Sequence, residues 1–220
     1  VAALAGDAGA GWLRNAGHFN IEGDEMCGRF TLTADTKKLA EAFSGYEIPE
    51  SLPPRYNIAP AQPVAVIANN GLHKLEFFQW GLIPGWAKDP AIGNRMINAR
   101  AETLAEKPAF KHAYKRRRCL VLADGFYEWQ KVNGGKTPMY IRLAGGEPFG
   151  LAGLWEAWHG PDESLVLSCT IITTSPNSLL ANIHNRMPVI LPPFAYELWL
   201  DPAEHSPAQL NDLLKPYPAE

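Results

Sequence analysis

An α+β fold with a largely antiparallel core is what this sequence predicts. Stretches of strand and helix character are intermixed without regular strand–helix–strand alternation, which argues against a parallel doubly wound sheet. The 19 glycines and 19 prolines are spread along the body as punctuation for many short elements. Hydrophobic residues make up 46% of the chain, enough for a real core. The elements follow in order. Residues 35–43, opening on Asp35, read as a capped amphipathic helix. Residues 53–60, with Pro53, Pro54 and Pro60, read as a rigid loop. Runs over 64–68 and 75–80 flank Asn69-Asn70-Gly71 and read as a hairpin. Residues 119–123 are a buried strand, followed by Gly125-Phe126-Tyr127-Glu128-Trp129. Residues 137–143, 150–155 and 165–173 continue the β pattern. A short helix is expected over 178–183, and helices over 193–200 and 208–214.

At 220 residues the chain is one domain, or one domain with a tail. The net charge of −3 sits in residues 1–25, which carry Arg14 against Asp7, Glu22, Asp24 and Glu25; the body is balanced. Net charge therefore neither demands nor excludes a nucleic-acid partner, and local clusters must decide. The three cysteines, Cys27, Cys119 and Cys169, are an odd number without short pairing motifs. That fits a reducing cytoplasm and excludes a disulfide framework. The same wide spacing, with no CxxC or HxxxH pair, argues against a metal site, and no cofactor is expected. No run is apolar enough to be a signal peptide or a membrane span, so no membrane partner is expected. Residues 1–25, rich in Ala and Gly, are read as an extension: a mis-assigned translation start, an expression remnant or a removable propeptide. They are expected to pack loosely outside the core.

Met26-Cys27-Gly28-Arg29-Phe30 has the form of a protein's own beginning. Removal of Met26 would leave Cys27 with a free α-amine beside its thiol. The amine, of pKa about 7.7–8.0, condenses with an aldehyde, and the thiol closes a thiazolidine ring on the imine carbon. An ordinary internal cysteine is buried and inert, and does none of this.

Three further segments set polar residues among apolar ones: 96–102 with Asn98, 123–129 with Glu128, and 183–190 with His184. Taken singly, these residues are more often a turn cap, a strand end and a satisfied histidine. Together with Arg55-Tyr56-Asn57-Ile58-Ala59-Pro60, residues 80–88 and Lys115-Arg116-Arg117-Arg118-Cys119, they resemble the SOS-response-associated peptidase family, the abasic-site processing proteins. The resemblance implies a single domain over 26–220 with a barrel-like β core and peripheral helices. It also implies a protein that acts as a monomer and crosslinks itself to abasic sites in single-stranded DNA through Cys27. The family's catalytic Asn, Glu and His fall on Asn98, Glu128 and His184. Members usually run on through another strand-forming segment, so the end at Glu220 reads as a truncation.

The residue types support that chemistry. Glu128, flanked by Phe126, Tyr127 and Trp129, is expected to be desolvated and proton-donating. His184 titrates near neutrality and can shuttle protons during opening of the sugar ring. Asn98, donor and acceptor at once, is assigned to orienting the Cys27 backbone and the forming ring. An imine that fails to cyclise invites β-elimination, so lyase chemistry is a natural side reaction. Arg100 and Arg186 each lie two residues from a catalytic candidate, which in an extended segment is the same face. Both are read as phosphate contacts, and Arg29 is a third candidate. Trp86 can stack on an exposed base, and residues 115–118 are as readily a solvated face as a DNA contact. Asn57, Pro60 and Thr173 are lining positions implied by the resemblance alone. Two other readings use the same residues: a cysteine peptidase of the N-terminal-nucleophile kind, acting mainly on its own leader, and a non-covalent reader of modified DNA.

Overall fold

A computed structural model describes residues 28–132 and 134–219; the extension and Cys27 lie outside the described residues. Among those residues the strands and α-helices run in chain order as β1 (Arg29–Leu32), α1 (Thr36–Ala42), β2 (Arg55–Ile58), β3 (Pro63–Ala68), β4 (Leu75–Trp80), β5 (Asn98–Arg100), α2 (Lys111–Arg116), β6 (Arg118–Ala123), β7 (Gly125–Val132), β8 (Gly135–Ile141), β9 (Phe149–His159), β10 (Leu165–Thr174), β11 (Met187–Pro188), β12 (Ile190–Leu191), α3 (Tyr196–Leu200) and α4 (Pro207–Asn211). The fold is the expected α+β single domain with a closed barrel at its centre. β4, β3, β6, β9 and β10 pair in that order, and β10 returns to β4 to shut the ring. Every junction is antiparallel except the last, where β10 and β4 run parallel through Ser168–Gln79 and Cys169–Trp80.

Every residue of β6 is buried. Its apolar run has the barrel interior on one side and α2 and α3 on the other, which is why it shows no alternation. The buried Cys119 and Cys169 are free thiols, and burial drives both well above their ordinary pKa. Arg118 opens this strand fully enclosed, and its guanidinium donates to the carbonyls of Tyr114, Lys115, Trp199, Asp201 and Ala203. Its neighbours are also engaged within the chain: Arg117 with Glu156, and Lys115 and Arg116 with Glu204. Arg117 and Arg118 are thus internal ties, while Lys115 and Arg116 lie on the solvated face.

A second, four-stranded antiparallel sheet, β2-β1-β7-β8, leans on the barrel. The loop expected over 53–60 contains β2, held by pairing with β1. Only Asp124 separates β6 in the barrel from β7 in the small sheet. Its carboxylate accepts from the Thr31 hydroxyl (2.5 Å), the Thr33 hydroxyl (2.7 Å) and the backbone N–H groups of Thr33 and Ala34 (2.5 and 2.8 Å). This clamp fixes β1 on β7 in the register Arg29–Tyr127, Phe30–Phe126, Thr31–Gly125. Asp124→Ala strands one buried and three part-buried donors and is expected to cost about 3 kcal/mol, the upper end for leaving a buried group unsatisfied. The check is the urea midpoint at unchanged slope; an unmoved midpoint would discount the clamp.

Candidate active site

β5 is short, and its neighbours pin it on both sides. Trp80 donates its indole N–H to the Ile97 carbonyl at 2.8 Å, and the Ile171 N–H bonds the same oxygen at 3.0 Å. Behind it, Gly81 and Gly93 meet back to back: a Cβ on Gly81 would sit 2.6 Å from the Gly93 carbonyl oxygen, and Gly81 has φ +128°. No other residue allows that approach. β5 then runs parallel to β10, with Asn98 beside Ile171 and Arg100 beside Thr173. Ala99 turns into the core, so half-buried Asn98 and exposed Arg100 share the opposite face.

Glu128 lies on β7 and is 1% exposed. Alternation along β7 puts Phe126, Glu128 and Gln130 on one face and Tyr127 and Trp129 on the other. The expected aromatic surround is corrected accordingly: two of the three flanking rings point away, and burial against the barrel dehydrates the carboxyl. Continuing the β1–β7 register by one residue brings Gly28, the neighbour of Cys27, level with Glu128. On the same face, the Gln130 amide donates to the Asn182 carbonyl at 2.9 Å, tying β7 to the segment that carries His184.

That segment is not extended. A 3-10 turn over Leu180–Asn182 ends at Ile183, and the chain then bends so that the Arg186 N–H donates to His184 Nδ1 at 3.3 Å. The premise that His184 and Arg186 alternate along a strand is therefore corrected: a local turn joins them. With Nδ1 accepting, a neutral His184 carries its proton on Nε2. Beyond the bend, β11 pairs with β10 through Thr173–Pro188. The Arg186 guanidinium reaches the Thr173 carbonyl at 2.7 Å and grips Glu102, its Nη1 and Nη2 donating to Oε1 and Oε2 at 2.5 and 2.8 Å. Arg186, and Arg100 more weakly, hold the Glu102 carboxyl below its ordinary pKa.

Two linked groups result: Asn98, Arg100, Thr173, Arg186 and His184 around β5, β10 and β11, and Glu128 with Gln130 against the 182–184 segment. Thr173 is wholly buried, its hydroxyl donating to the Ala99 carbonyl at 3.4 Å. Arg29 donates to Asn57 Oδ1 at 3.0 Å. By strand alternation both lie on the face of the small sheet opposite Phe30 and Glu128. Pro60 is half-buried in the turn after β2, whose Gln62 accepts from Arg55 and from the Ala59 N–H. Trp86 is 62% exposed, which removes core packing as its role, and its indole walls two hollows, one with Lys88 and Arg95, the other with His112, Arg117 and Glu156. No group of three His, Cys, Asp or Glu side chains that could hold a metal occurs among the described residues. No helix among them is long and apolar enough to cross a membrane.

Sequence reasoning missed Glu102, Asp124 and Arg118. Each had a signal: Glu102 follows Arg100 by two, and Asp124 and Arg118 bound the apolar run of β6, where a charge drawn inside has to be satisfied internally.

The fold is a small closed barrel with a second sheet, carrying Asn98, Arg100, Arg186 and His184 on β5 and the bend before β11, and the buried Glu128 on β7. The chain belongs to the SOS response associated peptidase (SRAP) family, whose model matches residues 26–220. It is 46% identical over 202 residues to abasic site processing protein YoqW of Bacillus subtilis, covering 89% of each chain. It is 32% identical to abasic site processing protein YedK of Escherichia coli, over 80% of this chain and 79% of that one. A crystal structure of a protein from Bacteroides thetaiotaomicron superposes with a TM-score of 0.79 at 30% identity, over 87% of this chain and 88% of that one.

Proposed function

We propose that this protein processes abasic sites in single-stranded DNA by closing a thiazolidine between Cys27 and the sugar aldehyde. The Cys27 amine adds to the aldehyde carbon, and the carbinolamine loses water. The thiol sulfur then adds to the imine carbon while its proton passes to nitrogen. One water leaves and nothing is oxidised or reduced. The β1–β7 register is the observation that carries this reading: continued one residue beyond Arg29–Tyr127, it sets Gly28, the residue after Cys27, level with the buried Glu128. A carboxylic acid there supports protonation of the departing hydroxyl as the role of Glu128. The names of the relatives point to the same substrate, and Arg100 and Arg186 suit a phosphate-bearing strand. Asn98 orients the amine, and His184, as the Nε2–H tautomer, serves proton transfer at the sugar ring. An imine that escapes cyclisation is open to β-elimination, so strand cleavage is a side reaction.

Glu128→Gln is expected to slow adduct formation about 100-fold, the lower end for a positioned proton donor. Affinity for an uncleavable single strand should stay within about twofold. Single-turnover gel assays beside fluorescence anisotropy measure the two. An unchanged rate would remove Glu128 from the mechanism.

A further inference from the structure

The Arg186–Glu102 pair is geometrically complete in a way that bears on DNA binding. Of the five guanidinium N–H groups, Nη1 and Nη2 each give one to a Glu102 oxygen, and Nη2 also serves the Thr173 carbonyl. Nε is buried with no hydrogen-bond partner among the described residues. The Arg186 side chain is only 14% exposed. The fork that a phosphate would take bidentately is therefore occupied, and by a carboxylate, which offers the same paired acceptors. Glu102 differs in every respect that governs release. Its side chain is 52% exposed, and it sits in a single 3-10 turn, Ala101–Thr103, directly after β5. Its carboxylate also lies in the field of exposed Arg100, so one internal anion serves both arginines assigned to the strand.

We propose that Glu102 occupies the place of a DNA phosphate on Arg186 in the free protein and is displaced when a single strand binds. This rests on the functional reading above and adds to it the residue that tunes the strand's affinity. The intramolecular anion keeps the guanidinium aimed while no DNA is present. Once displaced, the Glu102 carboxylate draws a cation from solution as the phosphate gives one up, so the Arg186 contact adds little to the salt dependence of binding. A buttress that stays in place during binding predicts the opposite result on its removal.

The experiment is equilibrium binding of a labelled oligothymidylate without abasic sites, at a series of salt concentrations, to the parent, Glu102→Gln, Arg186→Gln and the double variant. Glu102→Gln is expected to bind several-fold tighter at low salt, with a log–log salt slope steeper by about 0.7, one phosphate contact on a single strand. In the Arg186→Gln background the gain should vanish. Weaker or unchanged binding by Glu102→Gln, or an equal gain without Arg186, overturns the proposal while the functional reading stands. No binding by parent and Glu102→Gln alike at low salt overturns both.

Discussion

Protein beginning at Cys27 is expected to form a heat-stable adduct with an abasic single-stranded oligonucleotide in near-stoichiometric yield, and the same chain carrying residues 1–26 is expected to form none. The difference is covalent. Behind a peptide bond the Cys27 nitrogen is an amide, with no usable basicity and no route to a neutral imine. Freed, it is an amine of pKa about 7.7–8.0, substantially neutral near pH 7.5. The other two cysteines offer no detour, because Cys119 and Cys169 lie buried in the barrel with their pKa values driven up. Cys27→Ala, processed to a free amine, separates the two halves of the chemistry. It should form an imine that borohydride traps, yet leave no adduct that survives heating unreduced. Denaturing electrophoresis with intact mass at each N-terminus reads all three proteins. A stable adduct from protein shown to retain residues 1–26 would assign the reaction to another nucleophile.

The second large effect concerns stability. Arg118→Met is expected to cost about 3–4 kcal/mol, since each buried acceptor left unsatisfied costs about 1–3 kcal/mol and some of the five carbonyls recover water. Those carbonyls come from the end of α2 (Tyr114, Lys115), from Trp199 in α3 and from the turn after it (Asp201, Ala203). One guanidinium thus gathers carbonyls from the ends of two helices against the same strand. Burial draws its pKa down while nearby Asp201 draws it up, and it remains a cation. Arg116→Gln, three-fifths exposed and paired with Glu204, should move the midpoint by under about 0.5 kcal/mol. Single-strand affinity per folded molecule should be unchanged by Arg118→Met. A stable variant with weakened DNA binding would return residue 118 to the DNA surface.

Elements with a strong local signal were legible in the sequence. Asp35 caps α1 by accepting from the Lys38 N–H, and Asn69-Asn70-Gly71 turns β3 into β4. Elements made by distant pairing were not. β2 looks like a proline-bound loop until β1 supplies its partner, and α2 has too short an apolar face to announce itself. Barrel closure between β4 and β10 joins residues far apart in sequence, which no local pattern encodes. At the candidate site, the ordered motifs shared with the family, not residue type, pointed to Asn98, Glu128 and His184, and the Asn98–Arg100 spacing puts both on one face because β5 is a strand. The 184–186 spacing misled because that stretch is bent. Glu102 and Asp124 act on groups across the fold, so their partners had to be seen before their roles.

The way β10 divides its edge has a consequence for how this domain can vary. Its edge pairs with the end of β4 at residues 168–169 and then with β5 at residues 171–173. Residues 81–97 are therefore an excursion whose two ends are fastened to neighbouring points of one strand, with Leu82 and Met96 bonded across its neck at 3.1 Å. Closing a longer or shorter loop over that neck changes the chain entropy by only about 0.6 kcal/mol per doubling of length. The exposed part that carries Trp86, between the buried residues 81–84 and the Gly93 contact, is thus free to be rebuilt, by drift or by grafting, while the barrel stays as it is. Lineages sharing this frame can differ in the surface they offer there at little cost to folding, and residues 85–92 are where such differences have room to accumulate.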